Sequence, residues 1–403
     1  MPEVQTPHHF FRRKVVWGKC YNTLSMQLLR LLIFIILAIV ASAVFLGIEN
    51  QPTQEVVLAP VEFASSTPTK IATSSLNTAA ATTTPPKRQQ ESQLVPTPKI
   101  SPPALTPAPA VPSSASDIPL FSFSELNLKA RESLVNIICA TSAESPLSGE
   151  SGSGVFVTES GVILTNAHIA QYYLLEDYPS HGGVECTIRT GSPATAGYRA
   201  RLLYISPRWV KANSESLSLE NPSGTGEDDF ALLLVESSAA GGEALPSSFP
   251  FLPLAEVLPI ENTEVLVAGY PAEFLGSSTI QRNLFAISTI TAIRQYFTFA
   301  STSKDVFSIG NVILAAKGSS GGPVVAKDGT IVGILVTSTG GATTGDRDAF
   351  AITTTHIEQS FQDDTGASLL QFLLSKNLSF TAETFENTIA PQLSLLIIAH
   401  LPK

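Results

Sequence analysis

Residues 318–323 read Gly-Ser-Ser-Gly-Gly-Pro, set between an apolar stretch and a run of Val and Ile. A serine hydroxyl becomes a nucleophile only when an imidazole takes its proton, and the oxyanion that results needs backbone N–H donors already in place. Glycines around a serine permit the tight backbone that turns successive amides into one space. The segment thus has the parts of a nucleophile and an oxyanion hole, and taken alone it is equally a glycine-rich turn. Four histidines follow residue 117, at positions 168, 181, 356 and 400. His168 ends the run "GVILTNAH", where a strand terminus would hold a base rigidly. A carboxylate able to orient its imidazole stands in "GEDDFALLLVE", where Asp229 immediately precedes a strongly apolar run and Asp228 is its rival. His181, in a Gly-rich loop, and His356 read as surface or packing histidines.

The order His168, Asp229, Ser320 and the segments "TNAHI", "DFALL" and "GSSGGPVV" resemble the trypsin-like serine protease superfamily, closest to the peptidase domain of the HtrA (DegP-like) proteases. "DGTIVGILVTS" followed by "AFAITTT" is similar to the last two barrel strands of that family, so the likeness covers roughly residues 124–360. It implies an all-β fold of two six-stranded antiparallel barrels and a serine endopeptidase that works through an acyl-enzyme. Ser320 would be the nucleophile, His168 the general base and then acid, and Asp229 the orienting carboxylate, because the family pattern places it two residues before the alanine, here Ala231. The amides of Gly318 and Ser320 would form the oxyanion hole. Leu314-Ala315-Ala316 matches the segment that lines the substrate pocket, and Leu335 to Thr337 the strand that pairs with substrate. None of these is acidic, which points to small or aliphatic side chains at the cut; the plain alternative is that Leu314, Leu335 and Thr337 are core residues. Animal digestive relatives carry Asp where this chain has Ser319, so latency released by a new N-terminus is not expected. Too few residues follow Glu358 for a PDZ-like domain.

These groups need a scaffold, and residues 118–360 supply one. Short runs such as "LVNIICAT", "GSGVFVT", "YRARLLYIS", "DFALLLVE" and "TEVLVAGYP" alternate with Gly, Pro and Ser clusters, the pattern of antiparallel β structure. Lys327-Asp328-Gly329 is a hairpin signal. A helix is expected at "SFSELNLKARESL", capped by Ser122 or Ser124, and another over 366–378. Residues 361–403 read as a helical extension whose last apolar segment packs onto the domain. Cys139 and Cys186 lie in strand-like runs; they either pair or remain two small buried thiols.

The N-terminal part is different in kind. Basic residues Arg12, Arg13, Lys14, Lys19 and Arg30 in segment 1–30 precede an uncharged run of 18 residues, 31–48, long enough for a single membrane-spanning signal anchor with the rest of the chain outside the cytoplasm. Ala41-Ser42-Ala43 leaves cleavage, and hence secretion, as the alternative. Residues 51–117 hold 12 of the 28 prolines, and Pro, Ser and Thr fill 31 of these 67 positions, so this segment reads as a disordered tether. From residue 118 onward 15 Lys and Arg face 28 Asp and Glu, a balance that excludes nucleic acid as a natural partner. Protein or peptide substrates and the membrane are the expected partners. No metal cluster, P-loop or dinucleotide fingerprint is present, since Gly152-x-Gly154 lacks the third glycine, and Asp346 with Asp348 are too few for calcium. No cofactor is expected. A catalytically silent peptide-binding barrel and a stalk protein built around the tether are the competing functions.

Overall fold

Ser122 accepts a hydrogen bond from the Glu125 amide while the Glu125 carboxylate takes the Ser122 N–H, a capping box that starts helix α1 (Phe123–Ser133) at the first of its two candidate caps. The computed structural model describes residues 120–402 apart from 144, 220–223, 300–301 and 341–345. The basic segment, the membrane run and the tether, residues 1–117, lie outside the described residues. Among those described, no helix is long and apolar enough to cross a membrane.

Strands β1 (Leu134–Thr141), β2 (Glu150–Phe156) and β3 (Val162–Thr165) lead into a one-turn helix, α2 (Ala167–Ala170). Strands β4 (Val184–Thr190) and β5 (Thr195–Ile205) follow, then helix α3 (Pro207–Asn213) and strand β6 (Ala231–Ser238). These six strands close a barrel in the order β1-β2-β3-β6-β5-β4. The seam between β1 and β4 sets Cys139 directly opposite Cys186, and the two thiols are joined as a disulfide.

The second half comprises β7 (Glu264–Gly269), helix α4 (Ser277–Arg282), β8 (Ile287–Ala292), β9 (Gln295–Phe297), β10 (Val306–Asn311), β11 (Pro323–Val325), β12 (Ile331–Ser338) and β13 (Asp348–Thr353). Here the expectation of a second closed six-stranded barrel is corrected. Among the described residues, seven strands form one sheet in the order β8-β7-β11-β12-β13-β10-β9, with no ladder between its edges. The chain breaks between β8 and β9 at Ile293-Arg294. Across the seam Thr291 Oγ1 donates to Ile309 O at 2.7 Å and Arg294 N to Ser308 O at 2.8 Å, so one side chain and one amide stand where a ladder would run. Gly310, at φ 78°, shifts the β10 register beside this gap. The Asp-Gly hairpin between β11 and β12 forms as its sequence indicates, Asp328 Oδ1 accepting from Thr330 N at 2.9 Å.

The C-terminal residues fold into α5 (Thr354–Thr365), α6 (Leu369–Leu373), α7 (Leu378–Thr388) and α8 (Ala390–Ile398). The helix expected over 366–378 is instead α6 followed by a turn. Past Leu373 the helix has nothing apolar to cover, and Leu374 is 82% exposed. Tyr204 of β5 stacks on Phe230 and meets Phe361 of α5 and Phe385 of α7. Leu393, Ile397 and Leu401 are buried in the same cluster, so the helices pack against the domain beside β5.

Replacing Cys139 and Cys186 together by serine should lower unfolding stability by roughly 2–4 kcal/mol, since the bridge closes a loop of 47 residues and constrains the unfolded chain. Urea unfolding checks this. An unchanged midpoint would mean that the ladder alone holds the seam.

Candidate active site

The end of β3 is fixed before the base is reached. Thr165 Oγ1 donates to Ser153 O at 2.7 Å, and Asn166 Nδ2 donates to Asp229 O at 2.8 Å. His168 follows in the first turn of α2. Its backbone N–H donates to Asp229 Oδ1 at 2.9 Å and its ring Nδ1 lies 2.7 Å from Asp229 Oδ2. Both carboxylate oxygens therefore serve one residue. A carboxylate accepts only, so Nδ1 carries the proton and Nε2 is left as the basic atom. Asp229 is 5% exposed while the His168 side chain is 30% exposed, so the carboxylate lies behind the ring and the ring edge meets solvent.

Asp228, the rival in sequence, is turned away. Its φ of 56° sends its carboxylate to Ser360, Arg208 and His356. Of the two neighbours, the fold brings only Asp229 to His168.

Ser320 sits half-buried in a loop with a fixed backbone. Gly318 has φ 93°, and a Cβ there would stand 2.6 Å from Tyr270 O; Gly321 has φ 83°, and a Cβ there would meet Ser153 O at 2.1 Å. Neither position accepts another residue. Ser320 O accepts from Ser153 N at 2.8 Å, and Gly318 O accepts from Ser153 Oγ at 2.7 Å. Among the described residues, neither the Gly318 nor the Ser320 amide donates to a protein acceptor, which leaves both for a developing oxyanion. No hydrogen bond joins Ser320 Oγ to His168 among the described residues. The loop nevertheless lies beside the base, since a Cβ on Gly321 would stand 2.6 Å from Thr165 Oγ1, three residues before His168.

Ser153 is the residue that sequence reasoning missed. It is fully buried on β2, its N–H and Oγ hold the Ser320 loop, its carbonyl holds Thr165, and its Oγ also accepts from Tyr270 N at 2.9 Å. The available signal was a hydroxyl between two glycines at the start of an apolar strand. Gly152 and Gly154 have no room for a Cβ, which would meet Ile169 and Ile163 at 2.7 and 2.8 Å.

The expected pocket residues are placed differently from one another. Leu314 and Leu335 are 2% and 3% exposed and belong to the core of the second sheet. The backbone of Leu335 is already committed, accepting from Gly321 N and donating to Gly322 O. Beyond it the β13 pairing passes from Leu335 to Thr337 and skips Val336. The segment that follows Leu314 is braced by Arg347, which donates to Glu273 at 2.6 Å and to Ala315 O at 3.3 Å. His181 pairs with Asp177 on the surface, in line with its sequence reading.

Burial works against the His168 imidazolium, but Asp229, by charge and hydrogen bond, together with the more distant Glu150, outweighs it and holds the ring's pKa above 6.5. The base form therefore grows in only as pH rises through that raised value. Reaction with a serine-directed fluorophosphonate should climb on an acid limb centred above pH 6.5, and a stopped assay across pH 5–9 checks it. Asp229→Asn should cut that rate by about 10⁴-fold, because the amide favours the wrong tautomer. Ser153→Ala should lower stability by about 1–3 kcal/mol through the orphaned Gly318 carbonyl and Tyr270 amide, and should lower the labelling rate as well. Thermal melts and labelling kinetics read both; wild-type values for each would remove Ser153 from the site.

Residues 152–334 match the family model described as "Trypsin-like peptidase domain", a span that contains His168, Asp229 and Ser320. Among solved structures, the active form of the Rv3671c protease from M. tuberculosis is similar at 20% identity over 60% of this chain and 85% of that one, with a TM-score of 0.37. The serine endoprotease from Yersinia pestis is similar at 19% identity over 60% of this chain and 66% of that one, with a TM-score of 0.38. No curated protein matches the chain significantly. By this match residues 152–334 carry a trypsin-like peptidase domain.

Proposed function

We propose that this chain is a membrane-anchored endopeptidase that hydrolyses peptide bonds of unfolded or exported proteins outside the cytoplasm, using Ser320, His168 and Asp229. The observation that carries the chemistry is the commitment of both Asp229 oxygens to His168, which fixes the tautomer and leaves Nε2 basic beside a loop with two unused amides. Ser320 Oγ attacks the scissile carbonyl as Nε2 takes its proton, and Asp229 stabilises the imidazolium formed. The carbonyl oxygen, now an oxyanion, accepts from the Gly318 and Ser320 amides. The imidazolium passes its proton to the leaving amine, and water then cleaves the acyl-enzyme by the same route in reverse.

Anchoring rests on the uncharged run 31–48 and its basic flank. On this reading residues 51–117 link the anchor to the domain, and substrates reaching the membrane surface in unfolded form would meet it there. A latent or silent peptide-binding barrel is the second reading, favoured by the absence of a Ser320–His168 hydrogen bond among the described residues; such bonds often tighten only when substrate arrives.

Labelling of the full chain in detergent with a fluorophosphonate separates the two. Wild type should label, and Ser320→Ala and His168→Ala should each lose at least about 10³-fold in rate. A folded wild type that stays unlabelled would remove the constitutive protease and leave the latent module.

A further inference from the structure

Asp228 and Asp229 are consecutive, yet their carboxylates serve different networks. The Asp228 backbone has φ 56°, a region that residues other than glycine seldom occupy, so something must hold it there. Its Oδ1 accepts from Ser360 Oγ at 2.6 Å and faces Arg208 at 3.5 Å and His356 Nε2 at 3.7 Å, the last an ion-pair separation too long for a hydrogen bond. The other ring nitrogen of His356, Nδ1, lies 3.1 Å from Asp305 Oδ1.

Asp305 is itself immobilised. Its second oxygen accepts from Phe299 N at 2.6 Å, from Ser303 Oγ at 3.0 Å and from Thr298 Oγ1 at 3.1 Å, and the residue is 2% exposed. His356 stands in the first turn of α5, directly after β13, with its ring edge-on to Phe299. One imidazole with a side chain only 13% exposed thus lies between a fixed carboxylate at the entry to β10 and the strained residue that precedes the orienting carboxylate of the site.

We propose that His356 is a positioning residue for His168: as an imidazolium bridging Asp305 and Asp228 it holds the left-handed turn that aims Asp229, and on deprotonation it releases that turn. The kinetic consequence rests on the protease reading above; the geometric one does not. Among the described residues, the charged groups facing His356 are Asp305 and Asp228. Beyond Asp228 stand Arg208 of α3 and then Asp364 of α5, which pairs with Arg208 at 2.9 Å.

Burial disfavours the charged ring, but Asp228 and Asp305 outweigh it and raise its pKa above the ordinary 6.5. A histidine raised in this way keeps its bridge at low pH and loses it as pH climbs through the raised value. His168 must lose its proton over the same direction of pH to become a base. Activity is therefore bounded on both sides, by His168 on the acid limb and by His356 on the alkaline limb.

The test compares the full wild-type chain with His356→Gln and Asp305→Asn, read two ways. The first is the low-field proton NMR signal of the His168 Nδ1–H, which reports its bond to Asp229 without any substrate. The second is the pH profile of fluorophosphonate labelling and of kcat and KM on a casein-derived peptide. Both variants should fold, show a shifted or broadened low-field signal, lose about 10- to 100-fold in kcat at neutral pH with KM little changed, and lack the wild-type alkaline limb. Folded variants with the wild-type signal and the wild-type limb would overturn the proposal. If wild type fails to label, the protease reading falls, while the NMR signal still decides the positioning role. If His356→Gln does not fold, the near-isosteric Asp305→Asn decides by the same readouts.

Discussion

Four hydrogen bonds converge on the one small side chain and peptide unit of Ser153, and the architecture of the site hangs on them. The amide and hydroxyl hold the carbonyls of Ser320 and Gly318 from the second half of the domain; the carbonyl and hydroxyl hold Thr165 and the Tyr270 amide. Ser153, Thr165, Gly318 and Tyr270 are buried, where an unpaired polar group is expensive, so the loop carrying Ser320 and the strand leading to His168 cannot separate without stranding several at once. Glycines at 152, 154, 318 and 321 make the approach possible by removing every Cβ that would intrude. Positioning is thus achieved by removing bulk around one fully satisfied polar group.

The electrostatics have the same economy. Two adjacent aspartates are separated by a single unusual backbone angle, one feeding the reacting histidine and the other feeding a structural one. The first histidine is held in a defined tautomer and exposed to solvent along its edge; the second is bonded to Asp305 through Nδ1, faces Asp228 at ion-pair distance through Nε2, and is nearly hidden. Each has a raised pKa because carboxylates outweigh burial. Their surroundings, not their intrinsic chemistry, set the two histidines apart.

Much of this was legible in the residues. The glycine-serine turn, the histidine at a strand end and the aspartate before an apolar run were visible because each has a local signature, and their common order added a family resemblance. The Asp-Gly hairpin and the Ser122 cap were local as well. What was missed depends on contacts distant in sequence. Ser153 bonds residues 165 positions away and gives no local sign beyond its flanking glycines. His356 looked ordinary because its partners lie 51 and 128 residues earlier. The open seam of the second sheet follows from a two-residue break after β8, too small to register in a pattern of short strands. Residues 314 and 335 were open as pocket or core residues, and which of the two depends on the direction of each side chain, which no local pattern gives.

The disulfide carries a consequence of another kind. It joins residues that face one another across the two strands where the first barrel closes on itself. In a β ladder a slip by a single residue exchanges every inward side chain for an outward one. A covalent link between directly opposed positions admits no such slip, and it acts where misalignment would do most harm, at the joint between the first and last members of the ring. The bridge is therefore an alignment pin: it sets which side of β1 and β4 faces the interior, and through β2 it sets the height at which Ser153 meets the loop of the second half.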